Sequence, residues 1–195
     1  NPPFDPDSEE DPQPTTTATI LESPETVDLA GDAATPTITT AEAPAGMYNA
    51  FAWEVVPAET GEAEEATVLL EGTAEKQGRS LDFTISLNQP LASTCGEYVG
   101  DERKGIVEAG EQGELEATFH FDHLFGIAEL PADDPMNAEA LGFEPFVQYA
   151  EGDSINVNSQ QLQANLNENL YETLISNLKG LPHVGEGHCR VEQLN

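Results

Sequence analysis

From Leu81 to Asn88 apolar and polar residues alternate without a break, with Leu81, Phe83, Ile85 and Leu87 set against Asp82, Thr84, Ser86 and Asn88. A period of two sends one set to each face of a strand, so one face can be buried while the other stays wet. The pattern recurs. Phe51, Trp53 and Val55 share a face within Met47–Val56, Thr67 to Leu70 is an apolar run, and Leu115, Ala117, Phe119 and Phe121 oppose Glu116, Thr118, His120 and Asp122. Thr19-Ile20-Leu21 and Thr37-Ile38-Thr39 are short β-branched runs flanked by turn formers such as Gly31, Pro36 and Pro44. This grammar predicts an antiparallel β-sandwich over residues 18–126.

The last third changes period. Leu162, Leu166, Leu170, Leu174 and Leu178 recur every four residues, and Tyr171 and Ile175 widen the stripe. Asn158 and Gln161 have the spacing of a capping box, and Gly180 is a natural stop. Asn165, Asn167 and Asn169 are poor helix-interior residues, so either one helix or two short ones fit. Residues 127–195 are therefore expected to add a loop, a helical segment and a C-terminal loop to the same domain. The fold class is mainly β with a C-terminal helical segment, an α+β variant of a β-sandwich.

Residues 1–17, NPPFDPDSEEDPQPTTT, hold too little apolar surface to offset their ordering entropy. They read as an extended or disordered acidic tail, or as an arm that adds to a sheet edge of this chain or a neighbour.

Charge narrows the partners. The chain carries 37 acidic side chains against six basic ones, a formal net charge of −31, and its first basic residue is Lys76. Such a surface repels phosphate backbones and anionic headgroups, which argues against nucleic acid and membrane surfaces, and it attracts cations. Self-repulsion is relieved by salt, so a marine, saline or extracellular setting is expected. The adjacent pair Arg103-Lys104 is expected to serve a salt bridge or a contact between subunits. No apolar run is long enough to span a bilayer. Beginning at Asn1 rather than Met, the chain is expected to be a processed form, exported to the periplasm, the cell surface or the medium.

Cys95 and Cys189 fit one disulfide in an oxidising compartment, contributing roughly 4 kcal/mol at most by loop-closure entropy. The rival reading makes Cys189 a thiolate ligand beside His188.

All four histidines lie in two short windows, His120-Phe-Asp-His123 and His183-Val-Gly-Glu-Gly-His188. Imidazole is the commonest protein ligand for transition metals, and each window adds a carboxylate, Asp122 or Glu186. If residues 115–122 form a strand, His120 and Asp122 project from one face, with His123 at its end. Gly185 and Gly187 would let the second window wrap closely as a loop. The candidate ligands are His120, Asp122, His123, His183, Glu186 and His188. They suit Zn, Cu or Fe, and the acidic clusters make Ca a further candidate ion.

Residues Thr118 to Gly126 resemble part of the metallo-β-lactamase signature, His-x-His-x-Asp-His with a following Gly. Thr118 stands where the first histidine belongs, and the remaining residues are too few for the rest of that αββα hydrolase. The resemblance implies metal ligation more than hydrolysis. No catalytic residues are assigned, and an enzyme is the less favoured reading. The function expected is a secreted, acidic protein that holds a transition metal for sequestration, delivery or structure. The alternative is a subunit of an extracellular surface layer or filament, self-associating through residues 1–17, with metal stabilising the fold or joint.

Overall fold

The computed structural model describes residues 4–8, 10–31, 35–76, 78–96, 105–185 and 187–194; Glu186 and the Arg103-Lys104 pair lie outside them. In chain order the strands are β1 (Gly46–Met47), β2 (Phe51–Val55), β3 (Val68–Lys76), β4 (Arg79–Leu87), β5 (Leu91–Cys95), β6 (Ile106–Val107) and β7 (Thr118–Phe119). Helices α1 (Asp122–Phe125), α2 (Pro135–Glu139) and α3 (Glu144–Val147) come next, then β8 (Ala150–Glu151) and β9 (Ser154–Asn158). Helices α4 (Ser159–Asn165) and α5 (Glu168–Lys179) lead into β10 (Pro182–Val184) and β11 (Gly187–Gln193).

The architecture is mainly β, with sheets curled into a half-barrel and a helix near the C-terminus. One sheet has the order β2-β5-β11-β10-β7, another β3-β4-β9-β8, and β1 pairs with β6. The alternation at residues 81–87 becomes β4, with Ile85 and Leu87 at 0% and 1% exposure. It pairs antiparallel with β3 and parallel with β9, so the second sheet is mixed. Strand β9 is not expected from its sequence, because Ser-Ile-Asn-Val-Asn shows only two apolar residues. Both Ile155 and Val157 are buried.

Phe146, Leu124, Leu162 and Leu174, all nearly inaccessible, join β4 and β9 in one apolar core between the mixed sheet and the helices. Phe119 from the other sheet packs against it, and a seam lined by Val55, Val68, Leu91, Phe119 and Leu178 runs between the two sheets.

The leucine repeat is divided between two helices. The Asn158 side chain accepts from the Gln161 N–H and the Gln161 side chain from the Asn158 N–H, each at 3.0 Å. Asn167 caps α5 by accepting from the Leu170 N–H at 3.0 Å. An asparagine that is poor inside a helix thus starts a new one.

One expectation is corrected. Thr19–Leu21 and Thr37–Thr39 form no strand: Leu21 and Ile38 are 41% and 51% exposed, and the Thr39 hydroxyl donates to the Ile20 carbonyl at 3.0 Å. Prolines and acids around these runs leave too little apolar surface to dock a strand on the core. The acidic tail, by contrast, is partly anchored. Phe4 is 6% exposed, its N–H donates to the Asn49 carbonyl at 3.0 Å, and Arg190 lies over its ring at 5.1 Å.

Candidate metal centre

The first histidine window is held by one turn of helix. Phe121, Leu124 and Phe125, spaced i, i+3 and i+4, pack into or against the core, and Leu124 has no exposure at all. Asp122 and His123 are left on the outer side of that turn. The expectation that His120 and Asp122 share one strand face is therefore corrected. Strand β7 ends at Phe119, Phe121 has helical angles (φ −70, ψ −12), and Asp122 opens α1. Gly126, at φ 81, ends the turn in the left-handed region.

Beyond it the Asn137 amide fixes the exit. Its Oδ1 accepts from the Ile127 N–H at 2.7 Å, and its Nδ2 donates to the carbonyls of Ile127, Leu130 and Pro131 at 3.0–3.1 Å.

The second window is a hairpin rather than a wrapping loop. Strands β10 and β11 are antiparallel, with His183 opposite His188 and Val184 opposite Gly187, and Gly185 turns the corner at φ 62. Strand β10 also pairs with β7, setting His183 opposite Thr118, and the His120 N–H continues that pairing by donating to the Leu181 carbonyl at 2.9 Å. These hydrogen bonds bring the two windows together.

The four imidazoles form one cluster. Ring centroids of His120 and His183 are 4.5 Å apart, His123 and His183 5.3 Å, His120 and His123 5.6 Å, and His183 and His188 4.7 Å. With a metal–nitrogen bond of about 2.0–2.1 Å, two imidazoles sharing a tetrahedral ion have centroids about 5 Å apart. The observed spacings bracket that value. Donor atoms of His120, Asp122 and His123 lie within 4.8 Å of one another, so these three form the tightest ligand set, two imidazoles and a carboxylate. Asp122 Oδ1 also lies 3.6 Å from His120 Nδ1. His183 and His188 extend the cluster by ring contact.

A single carbonyl organises two of the rings. Gly180, at the end of α5, presents its oxygen to His123 Nδ1 at 2.8 Å and to His183 Nε2 at 3.2 Å. A carbonyl only accepts, so both nitrogens carry their protons. In the neutral rings the lone pairs are then on His123 Nε2 and His183 Nδ1. Fixing a tautomer through the second ring nitrogen is the usual support of a histidine ligand.

Exposure differs across the cluster. His183 is 6% exposed, whereas the side chains of His120 and Asp122 are 40% and 32% exposed. Burial lowers the His183 pKa, and His120 and His188 lower it further against the opposing effect of the Gly180 carbonyl. The buried ring therefore favours the neutral form, the one that binds a metal.

Cys95 and Cys189 form a disulfide, which removes Cys189 as a thiolate ligand. The two face each other across β5 and β11 in the residue next to His188, so the staple ties the hairpin to the large sheet. Glu186 lies outside the described residues. Gly180 and Asn137 carry no signal of these roles in the sequence: the glycine's role rests on its backbone oxygen, and the asparagine has no patterned partner. No protein family, no curated protein and no solved structure matches this chain.

Proposed function

We propose that this protein binds a single transition-metal ion reversibly at the histidine cluster and serves in its sequestration or delivery outside the cytoplasm. The observation that carries the reading is the shared Gly180 carbonyl, which sets the tautomers of His123 and His183 while His120 and Asp122 stand beside them. His120, Asp122 and His123 are the primary ligands. His183 supplies a further nitrogen by a small rotation, and His188 completes the rim.

Nitrogen and carboxylate donors without thiolate suit Zn²⁺, Cu²⁺ or Fe²⁺ over the softer Cu⁺. Partial exposure of His120 and Asp122 supports exchange over a permanent structural ion. The core of leucines and phenylalanines is built without the cluster, and a disulfide already staples the hairpin. That disulfide and the charge of −31 are compatible with an oxidising, saline exterior. Among the described residues no helix is long and apolar enough to cross a membrane.

The test is elemental analysis of protein purified without chelators and then dialysed. Near-stoichiometric transition metal is expected in the wild type and its loss in a His120→Ala/His188→Ala variant. Equal metal in both would reject the proposal.

A further inference from the structure

The N-terminal arm docks beside the histidine cluster, on the same sheet face. Strand β11 alternates, so His188 and Arg190 share a face and stand about 7 Å apart along the strand. The β5–β11 register pairs Cys95 with Cys189, and one further step sets Gly96 across from His188. Phe4 occupies that position, for a Cβ on Gly96 would overlap the Phe4 side chain and backbone.

Arg190 clamps the next stretch of the arm. One guanidinium nitrogen donates to the carbonyls of Ser8 and Glu10 at 3.3 Å, and the other meets Asp11 at 2.6 Å. The Arg190 side chain is only 19% exposed, and its remaining ionic partner is Glu192 at 3.4 Å.

We infer that the described part of the N-terminal arm, residues 4–8 and 10–11, is a strap that sets the cation affinity of the histidine cluster. The inference rests on the metal-binding reading and adds its regulation. Docked, the strap answers the Arg190 charge and carries Asp5, Asp7, Glu10 and Asp11 to the face that holds His188. Released, it carries those exposed carboxylates away from the cluster and leaves Arg190, two residues from His188, with Glu192 as its ionic partner among the described residues. The first change removes attraction for a divalent cation and the second adds repulsion, so release lowers affinity. By linkage, a bound cation tightens the strap.

The experiment uses the full chain and Zn²⁺ as the probe, comparing wild type, Phe4→Ala and Phe4→Ala/Arg190→Gln. Phe4→Ala removes the anchor without changing any charge and lies outside the large core. Limited proteolysis reports whether the arm is docked, and competition with a chromophoric chelator reports affinity. At about 0.01 M ionic strength Phe4→Ala is expected to speed cleavage of the arm and weaken Zn²⁺ binding about threefold or more. At about 1 M, where charges are screened within about 3 Å, the difference closes. Arg190→Gln added to Phe4→Ala restores part of the lost affinity, since the arm's carboxylates stay away, and Zn²⁺ slows arm cleavage in the wild type.

A freed arm with unchanged Zn²⁺ affinity at low salt would overturn the inference and leave the metal site standing. An arm that stays protected in Phe4→Ala would also overturn it. A wild type that binds no Zn²⁺ would remove both.

Discussion

The carbonyl oxygen of Gly180 lies 2.8 Å from Nδ1 of His123, and this contact joins the end of α5 to the turn α1, which carries Asp122 and His123. Because the same oxygen also receives His183 Nε2, two rings from windows far apart in sequence are set by one backbone atom. Their tautomers can be read directly. In metal-free protein above neutral pH, imidazole ¹⁵N spectra should show the proton on Nδ1 of His123 and on Nε2 of His183. The opposite tautomer in either ring would mean that the carbonyl does not orient it.

Acid should destabilise the metal-free protein through His183. Burial, with His120 and His188 close by, holds its folded pKa below the ordinary 6.5. Below 6.5 the unfolded chain takes up a proton that the folded chain resists, so stability falls as pH drops toward the folded value. Above 6.5 both states are neutral and His183 contributes no slope. Urea midpoints should therefore be level above pH 6.5 and decline just below it, and His183→Asn should flatten that decline. An unchanged slope in the variant would assign it to other groups.

Asn137 offers a test of how α1 is held. Its amide satisfies four backbone groups between Ile127 and Pro131, so Asn137→Ala should cost about 1–3 kcal/mol in denaturant unfolding. Metal affinity should fall as well, because the loop that Asn137 fixes is the exit from α1. Loss of stability with affinity intact would show that the turn holds its place without the loop.

Removing the Cys95–Cys189 staple, which closes a separation of 94 residues, should cost about 4 kcal/mol by loop-closure entropy. Guanidinium unfolding of a Cys95→Ala/Cys189→Ala variant measures this against the oxidised wild type. A change below about 1 kcal/mol would mean that strain or a structured unfolded state cancels the constraint.

Much of this fold was legible where one period operated alone. Strict alternation fixed β4, Asn158 and Gln161 located the start of α4, and two cysteines left a single intramolecular pairing. The first histidine window misled because Phe121 belongs to two patterns. It continues the alternation of Leu115, Ala117 and Phe119, and it also opens the helical set Phe121, Leu124 and Phe125; burial of Leu124 decides for the helix. Gly185 and Gly187 suggested a loop, yet a hairpin corner needs the same freedom, and pairing with β5 and β7 chose the hairpin. The gathering of four histidines followed from their uneven spacing. The pinning carbonyl of Gly180 and the docking of Phe4 on Gly96 did not, since both depend on backbone atoms brought together from distant parts of the chain.

With 37 acidic side chains, this protein can hold divalent ions loosely at many places, so binding alone does not establish the centre. X-ray absorption at the zinc edge of protein loaded with one equivalent of Zn²⁺ separates the cases. Ligation by the cluster gives a mixed nitrogen and oxygen shell at about 2.0–2.1 Å, with outer-shell scattering from two or more imidazoles. A shell of oxygens alone, without imidazole scattering, would contradict a metal centre at His120, Asp122, His123 and His183.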